Sequence, residues 1–203
     1  MFPGFDSFSC VDEPHGTSGG WVNKGHREVD QSALARGDLS SLHRIVVYYC
    51  GRRAPGDFIW TQDPLIVIVS DRVKQALESN GLTGWRTYPV QLRDESERTM
   101  LGFSGLTITG RCGSLDWSRS LPVLRTYRSG TFANYRGIFF REDSWDGSDL
   151  FMPEDLAWMF TSERFSALAQ KLRLRNAKFR KLSTAEVRRE IATHSRAGYR
   201  WAG

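Results

Sequence analysis

The chain is expected to be an α+β protein in which two similar strand-helix-strand units share one mixed sheet and core, with an irregular lead-in before them and a helix after. Three observations predict this. Short β-branched and aromatic runs alternate with short amphipathic helical patterns. A strand, a Ser-acid-Arg helix start and a second strand occur in the same order twice. With 203 residues, 40% of them hydrophobic and 12% aromatic, the chain is long enough to bury a sizeable core.

Residues 1–44 are rich in Gly, Ser, Asp, Pro and His and have no sustained apolar period, so they read as an irregular N-terminal segment that Phe2, Phe5 and Phe8 could pin to the core. The α+β domain is expected over 45–182. Runs at 45–50 and 65–69 read as buried strands. Ser70 then caps a helix whose first residue, Asp71, suits the positive helix end, with Val73, Ala76 and Leu77 on one face and Asn80-Gly81 as the stop. A strand follows at 86–92 and a polar turn at 93–98. Strand character continues at 106–109 and 137–141, around a loop at 110–130. Ser162 caps a second helix with Phe165, Leu168, Ala169 and Leu172 inward, and 177–182 reads as a last strand. Ser183-x-x-Glu186 has the capping-box pattern and predicts a basic C-terminal helix over 183–203.

Shifting the chain by 92 residues lays 46–92 on 138–184, with identities at Asp57/Asp149, Asp63/Asp155, Ser70/Ser162, Arg72/Arg164 and Leu82/Leu174. In each unit a serine cap, an acid (Asp71, Glu163) and an arginine (Arg72, Arg164) open the helix. The arginine is expected to reach a carboxylate outside the helix, such as the preceding Asp63 or Asp155.

Charge is uneven. From residue 171 onward ten basic residues face only Glu186 and Glu190, a local +8, and with a total of +5 this leaves about −3 for the rest. Lys171, Arg173, Arg175, Lys178, Arg180 and Lys181 form the candidate basic patch, and with Phe179, Tyr199 and Trp201 they set out a nucleic-acid alternative. No run approaches a membrane span and no secretory signal is read, so a cytoplasmic protein is expected. Cys10, Cys50 and Cys112 are odd in number and lack Cys-x-x-Cys, and His15, His26, His43 and His194 are scattered. No metal, cofactor or catalytic residue is therefore assigned.

The most unusual segment is Trp145-Asp146-Gly147-Ser148-Asp149. Its acids miss the calcium-loop register. It reads either as a tight turn with local Asp and Ser hydrogen bonds or as a recognition loop anchored by Trp145, with Asp116 and Trp117 as a second contact. Together with Val69-Ser-Asp-Arg-Val-Lys-Gln-Ala-Leu, Leu82-Thr-Gly-Trp-Arg-Thr-Tyr-Pro-Val and Gly105-Leu-Thr-Ile-Thr-Gly-Arg-Cys-Gly, this segment resembles a bacterial family of immunity-type proteins from polymorphic toxin systems, over residues 45–182. Toxin-linked relatives carry paired Cys-x-x-Cys-Gly motifs. Only Cys50-Gly51 and Cys112-Gly113 remain here, so no zinc is carried across. The resemblance implies a non-enzymatic protein that binds and neutralises a cognate toxin by occlusion.

Overall fold

A computed structural model describes residues 5–12, 20–22, 33–34, 37–40, 42, 46–50, 55–61, 66–94, 96–128, 130–156 and 158–188. In chain order the strands are β1 (Phe8–Asp12), β2 (Gly20–Val22), β3 (Val46–Cys50), β4 (Phe58–Trp60) and β5 (Val67–Ser70). Helix α1 (Asp71–Ser79) follows, then β6 (Trp85–Arg93), β7 (Thr99–Met100), β8 (Phe103–Ile108), β9 (Gly110–Cys112), β10 (Leu121–Tyr127) and β11 (Gly130–Arg136). The chain continues through β12 (Leu150–Pro153), β13 (Phe160–Ser162), helix α2 (Glu163–Lys171), β14 (Lys178–Lys181) and β15 (Glu186–Arg188). The protein is mixed α+β, mostly strands in curled mixed sheets. Among the described residues no helix is long and apolar enough to cross a membrane.

Among the described residues three sheets replace the single shared one expected. The largest runs β2-β3-β6-β8-β5-β4 with β7 beside β6, a second runs β14-β1-β13-β12-β9, and a third runs β10-β11-β15. Of the three buried clusters, one draws residues from both 46–92 and 138–184. Phe58, Val67, Val69, Val73, Leu77 and Leu82 pack in one cluster with Val11, Leu150, Met152, Phe165, Ala169 and Leu174. Burying that many large side chains together is the main force joining the halves, at about 1.5–3 kcal/mol per fully buried residue.

The hairpins β4-β5 and β12-β13 lead into α1 and α2 in the same way. Next to each lies an antiparallel strand and then another: β8 and β6 beside β5, β1 and β14 beside β13. The strand in β8's position is supplied by the N-terminal segment. Phe8–Asp12 is thus a buried strand rather than lead-in, paired with β13 on one side and β14 on the other. Phe5 and Phe8 are buried and Phe8 packs on Phe140, as the spacing of the phenylalanines suggested, while Phe2 lies outside the described residues.

Helix stops also recur 92 residues apart. Gly81 (φ +58) follows α1 and Arg173 (φ +50) follows α2; three residues on, Gly84 (φ +85) corresponds to Asn176 (φ +68). A left-handed arginine is held against its own preference. Arg173→Gly is therefore expected to raise stability by about 1 kcal/mol, read as a higher urea midpoint with an unchanged slope.

Two further expectations are corrected. Residues 110–130 are not a loop, since they hold β9 and most of an exposed hairpin, β10-β11, whereas 137–141 contributes only one bridge, Leu115 to Phe140. Residues 183–188 are not helical. Ser183 donates to Asp6 Oδ1 (2.6 Å) instead of capping, and Glu186–Arg188 pairs with β11. Pairing with an open sheet edge and the Glu186 ion pairs outweigh the local capping signal. Residues 189–203, with His194, Tyr199 and Trp201, lie outside the described residues, as do His15, His26, His43 and Asp63.

Candidate functional site

Ser70 and Ser162 sit at helix N-cap positions with extended backbones, yet neither hydroxyl caps its helix. Ser70 donates to Asp57 Oδ1 at 2.9 Å and Ser162 to Asp149 Oδ1 at 2.7 Å. Arg72 Nη1 reaches Asp57 Oδ2 at 3.3 Å, and Arg164 Nη1 reaches Asp149 Oδ2 at 3.0 Å. The predicted arginine-carboxylate pairs therefore form with different acids. Asp155 instead accepts the Leu115 N–H at 3.1 Å.

Each carboxylate also takes a backbone donor from the opposite unit. Arg175 N–H reaches Asp57 Oδ2 at 2.7 Å, and Thr83 N–H reaches Asp149 Oδ2 at 3.1 Å. The second nitrogen of each arginine donates to the last turn of the other helix, Arg72 to Leu172 O and Arg164 to Asn80 O (3.3 Å). Counterparts in the two clasps are 92 positions apart: 57/149, 70/162, 72/164, 80/172 and 83/175. Two reciprocal clasps thus cross between the units, each centred on a buried acid: Asp57 is 4% exposed and Asp149 2%. Such acids fold in only because their oxygens are satisfied by several donors. Asp71 and Glu163 stay exposed on the first helical turns, where they complement the dipole.

The Trp145 to Asp149 loop grows out of the second clasp. Asp146 Oδ1 accepts from Ser148 N–H (3.0 Å) and from its hydroxyl (2.5 Å), and Oδ2 accepts the Arg111 N–H at 2.8 Å. Gly147 takes φ +84, the left-handed turn residue. Trp145 is half-buried, donating Nε1–H to Ser148 O at 3.1 Å, with its ring edge-on to Phe8 at 5.0 Å. Of the five residues, Asp146 and Gly147 are exposed, Trp145 presents one side, and Ser148 and Asp149 are buried.

Asp116 accepts from Ser118 N–H and hydroxyl, and Trp117 packs on Tyr135 at 5.7 Å. Trp117 and Trp145 lie against the same apolar cluster, which contains Phe8, Phe140 and Phe151. Lys171, Arg173, Arg175, Lys178 and Lys181 are exposed. Arg180 is drawn inward onto Asp12 at 2.5 Å, which raises its pKa.

No family model matches the chain, and no curated protein matches its sequence.

Burial pushes the Cys10 thiol up to about 12, helped by Asp12, and pushes Cys112 up further. Neither is a thiolate at neutral pH, so neither is poised as a nucleophile. Among the described residues no cluster of His, Cys, Asp and Glu suits a metal ion.

Sequence reasoning missed the β10-β11 arm and its anchor. Arg125 grips Glu186 through two bonds (2.7 and 2.8 Å), Asn134 adds one at 2.9 Å, and Arg136 stands 3.8 Å away. The signal was present in alternating β-branched and aromatic residues on either side of Arg128-Ser129-Gly130. The Arg125 hydrogen bonds hold the Glu186 pKa at about 2, against 4.5 for a free glutamate. A depressed carboxylate stabilises the fold above its unfolded pKa and loses that contribution as pH falls through the folded value. Acidification from 4.5 toward 2 should therefore weaken the β11-β15 junction. Urea midpoints at pH 5 and pH 3 should fall less for Glu186→Gln than for the parent.

Proposed function

We propose that this chain is an immunity-type protein, acting in the bacterial cytoplasm, that binds a cognate toxin and neutralises it by covering it with a preformed surface. The observation that carries this reading is the concentration of exposed apolar side chains on one strand: Leu121 is 65% exposed, Leu124 75% and Tyr127 48%. Apolar groups gathered on a protruding element mark interaction surfaces more often than they mark chemistry. The half-buried Trp145 and exposed Asp146 supply a second contact held rigid by Asp149, so little ordering entropy is lost on binding. Asp116 and Trp117 flank the same cluster.

We also propose that the two units descend from one duplicated element. Support comes from the constant 92-residue spacing of the clasp partners and of the left-handed residues after each helix.

Co-expression with the toxin encoded beside the gene tests the functional reading. Restored growth and co-purification are expected. No binding and no rescue would overturn it. The nucleic-acid reading rests on the exposed Lys171, Arg173, Arg175, Lys178 and Lys181. It predicts binding to random duplex DNA that collapses as salt rises, and no binding at low salt removes it.

A further inference from the structure

We propose that the outer edge of β10 is a docking site for an extended, acidic segment of a partner protein, which joins the three-stranded sheet as an added strand. This rests on the protein-binding reading above and names where and how the partner is held.

β10 ends its sheet, and among the described residues no strand pairs with its outer side. Pro122 has no N–H and is tolerated in a strand where its nitrogen faces solvent, and alternation then turns the backbone groups of Leu124 and Thr126 to that same side. These groups offer a ladder to an incoming strand. Leu121, Leu124 and Tyr127 lie along the same edge strand. A long apolar edge is an aggregation hazard that natural proteins usually blunt, and a cognate strand removes the hazard by pairing with it.

Charge selects the occupant. The sheet carries Arg125, Arg128, Arg136 and Arg188 against the single carboxylate of Glu186, which leaves +3. A second copy would set one +3 sheet against another, whereas an acidic strand meets it with the opposite sign. Single-stranded nucleic acid binds through exposed aromatic faces. Here the two most exposed apolar side chains of β10 are leucines, Tyr127 is its one aromatic residue, and the Phe132 ring is covered by the Arg188 guanidinium at 3.4 Å.

The probe is a capped heptapeptide of alternating glutamate and valine, titrated into isotope-labelled full-length protein and followed by amide chemical shifts. Saturable shifts centred on Leu124 and Thr126 are expected. Arg128→Glu should weaken binding about five- to tenfold at low salt, and Leu124→Asn about tenfold or more. Both positions are exposed, so the variants keep the fold. The proposal is overturned if the acidic peptide gives no saturable shift, if a lysine-valine peptide binds as well, or if oligothymidylate takes the site. Concentration-dependent dimerisation that Leu124→Asn abolishes would assign the edge to a second copy and also overturn it. Toxin that binds Leu124→Asn and Arg128→Glu normally but not Trp145→Ala would remove this inference and leave the functional reading intact. Peptide addition at β10 without any toxin binding would do the reverse.

Discussion

Replacing Asp149 with alanine is expected to cost about 3–5 kcal/mol and to leave the protein marginally folded at best. The carboxylate is buried and serves the Ser162 hydroxyl, the Thr83 N–H and Arg164 at once. Its removal leaves the buried Ser162 hydroxyl and the part-buried Thr83 N–H without their acceptor, at about 1–3 kcal/mol each. The arginine is a lesser member. The Arg164 side chain is 62% exposed, so Arg164→Ala should cost about 1 kcal/mol. Asp57→Ala, which orphans Ser70 and the Arg175 N–H, should match Asp149→Ala, and Arg72→Ala should match Arg164→Ala. Urea denaturation of the four variants checks this order. Arginine variants as damaging as the aspartate ones would mean that the ion pair, rather than the buried hydrogen bonds, holds the clasp.

The second large effect comes from close approach of the backbones. A Cβ on Gly84 would lie 2.0 Å from Leu150 O, and one on Gly110 would lie 1.9 Å from Ser148 Oγ and 2.3 Å from Leu150 O. Gly84 also has φ +85. Both glycines let the start of β6 and of β9 pass against β12, where a methyl group would meet a carbonyl that cannot yield without breaking its strand. Gly84→Ala and Gly110→Ala should each cost about 3 kcal/mol or more. Gly81 separates strain from crowding. It has φ +58 but nothing within 4 Å of an added Cβ, so Gly81→Ala should cost only about 1 kcal/mol. Thermal unfolding of the three proteins gives the comparison, and equal losses at 81 and 84 would show that crowding contributes nothing.

The helices were legible because their signals are local. Ser70 and Ser162, the acids after them and the inward stripes fix both starts to within a residue. The serine hydroxyls were misassigned for the same reason, because a cap motif is read from neighbours while the true acceptors, Asp57 and Asp149, lie 13 residues upstream. Strand β1 was missed because polar and glycine-rich residues follow it and its two partners, β13 and β14, lie at the far end of the chain. Glu186 reads locally as part of a capping box because its partner Arg125 is 61 residues away and leaves no sign nearby. In the Trp145 to Asp149 loop the tight turn and its Asp-Ser hydrogen bonds were readable. The burial of Asp149 was not, since it depends on Thr83 and Arg164 arriving together.

Amide exchange at Arg175 and Thr83 tests most directly whether the crossed clasps make the two units one body. These two N–H groups sit in opposite units and each donates to the carboxylate of the other. Both are expected to show the same opening free energy, equal to that of global unfolding. Exchange of one group through a cheaper partial opening, with the other still protected, would contradict it.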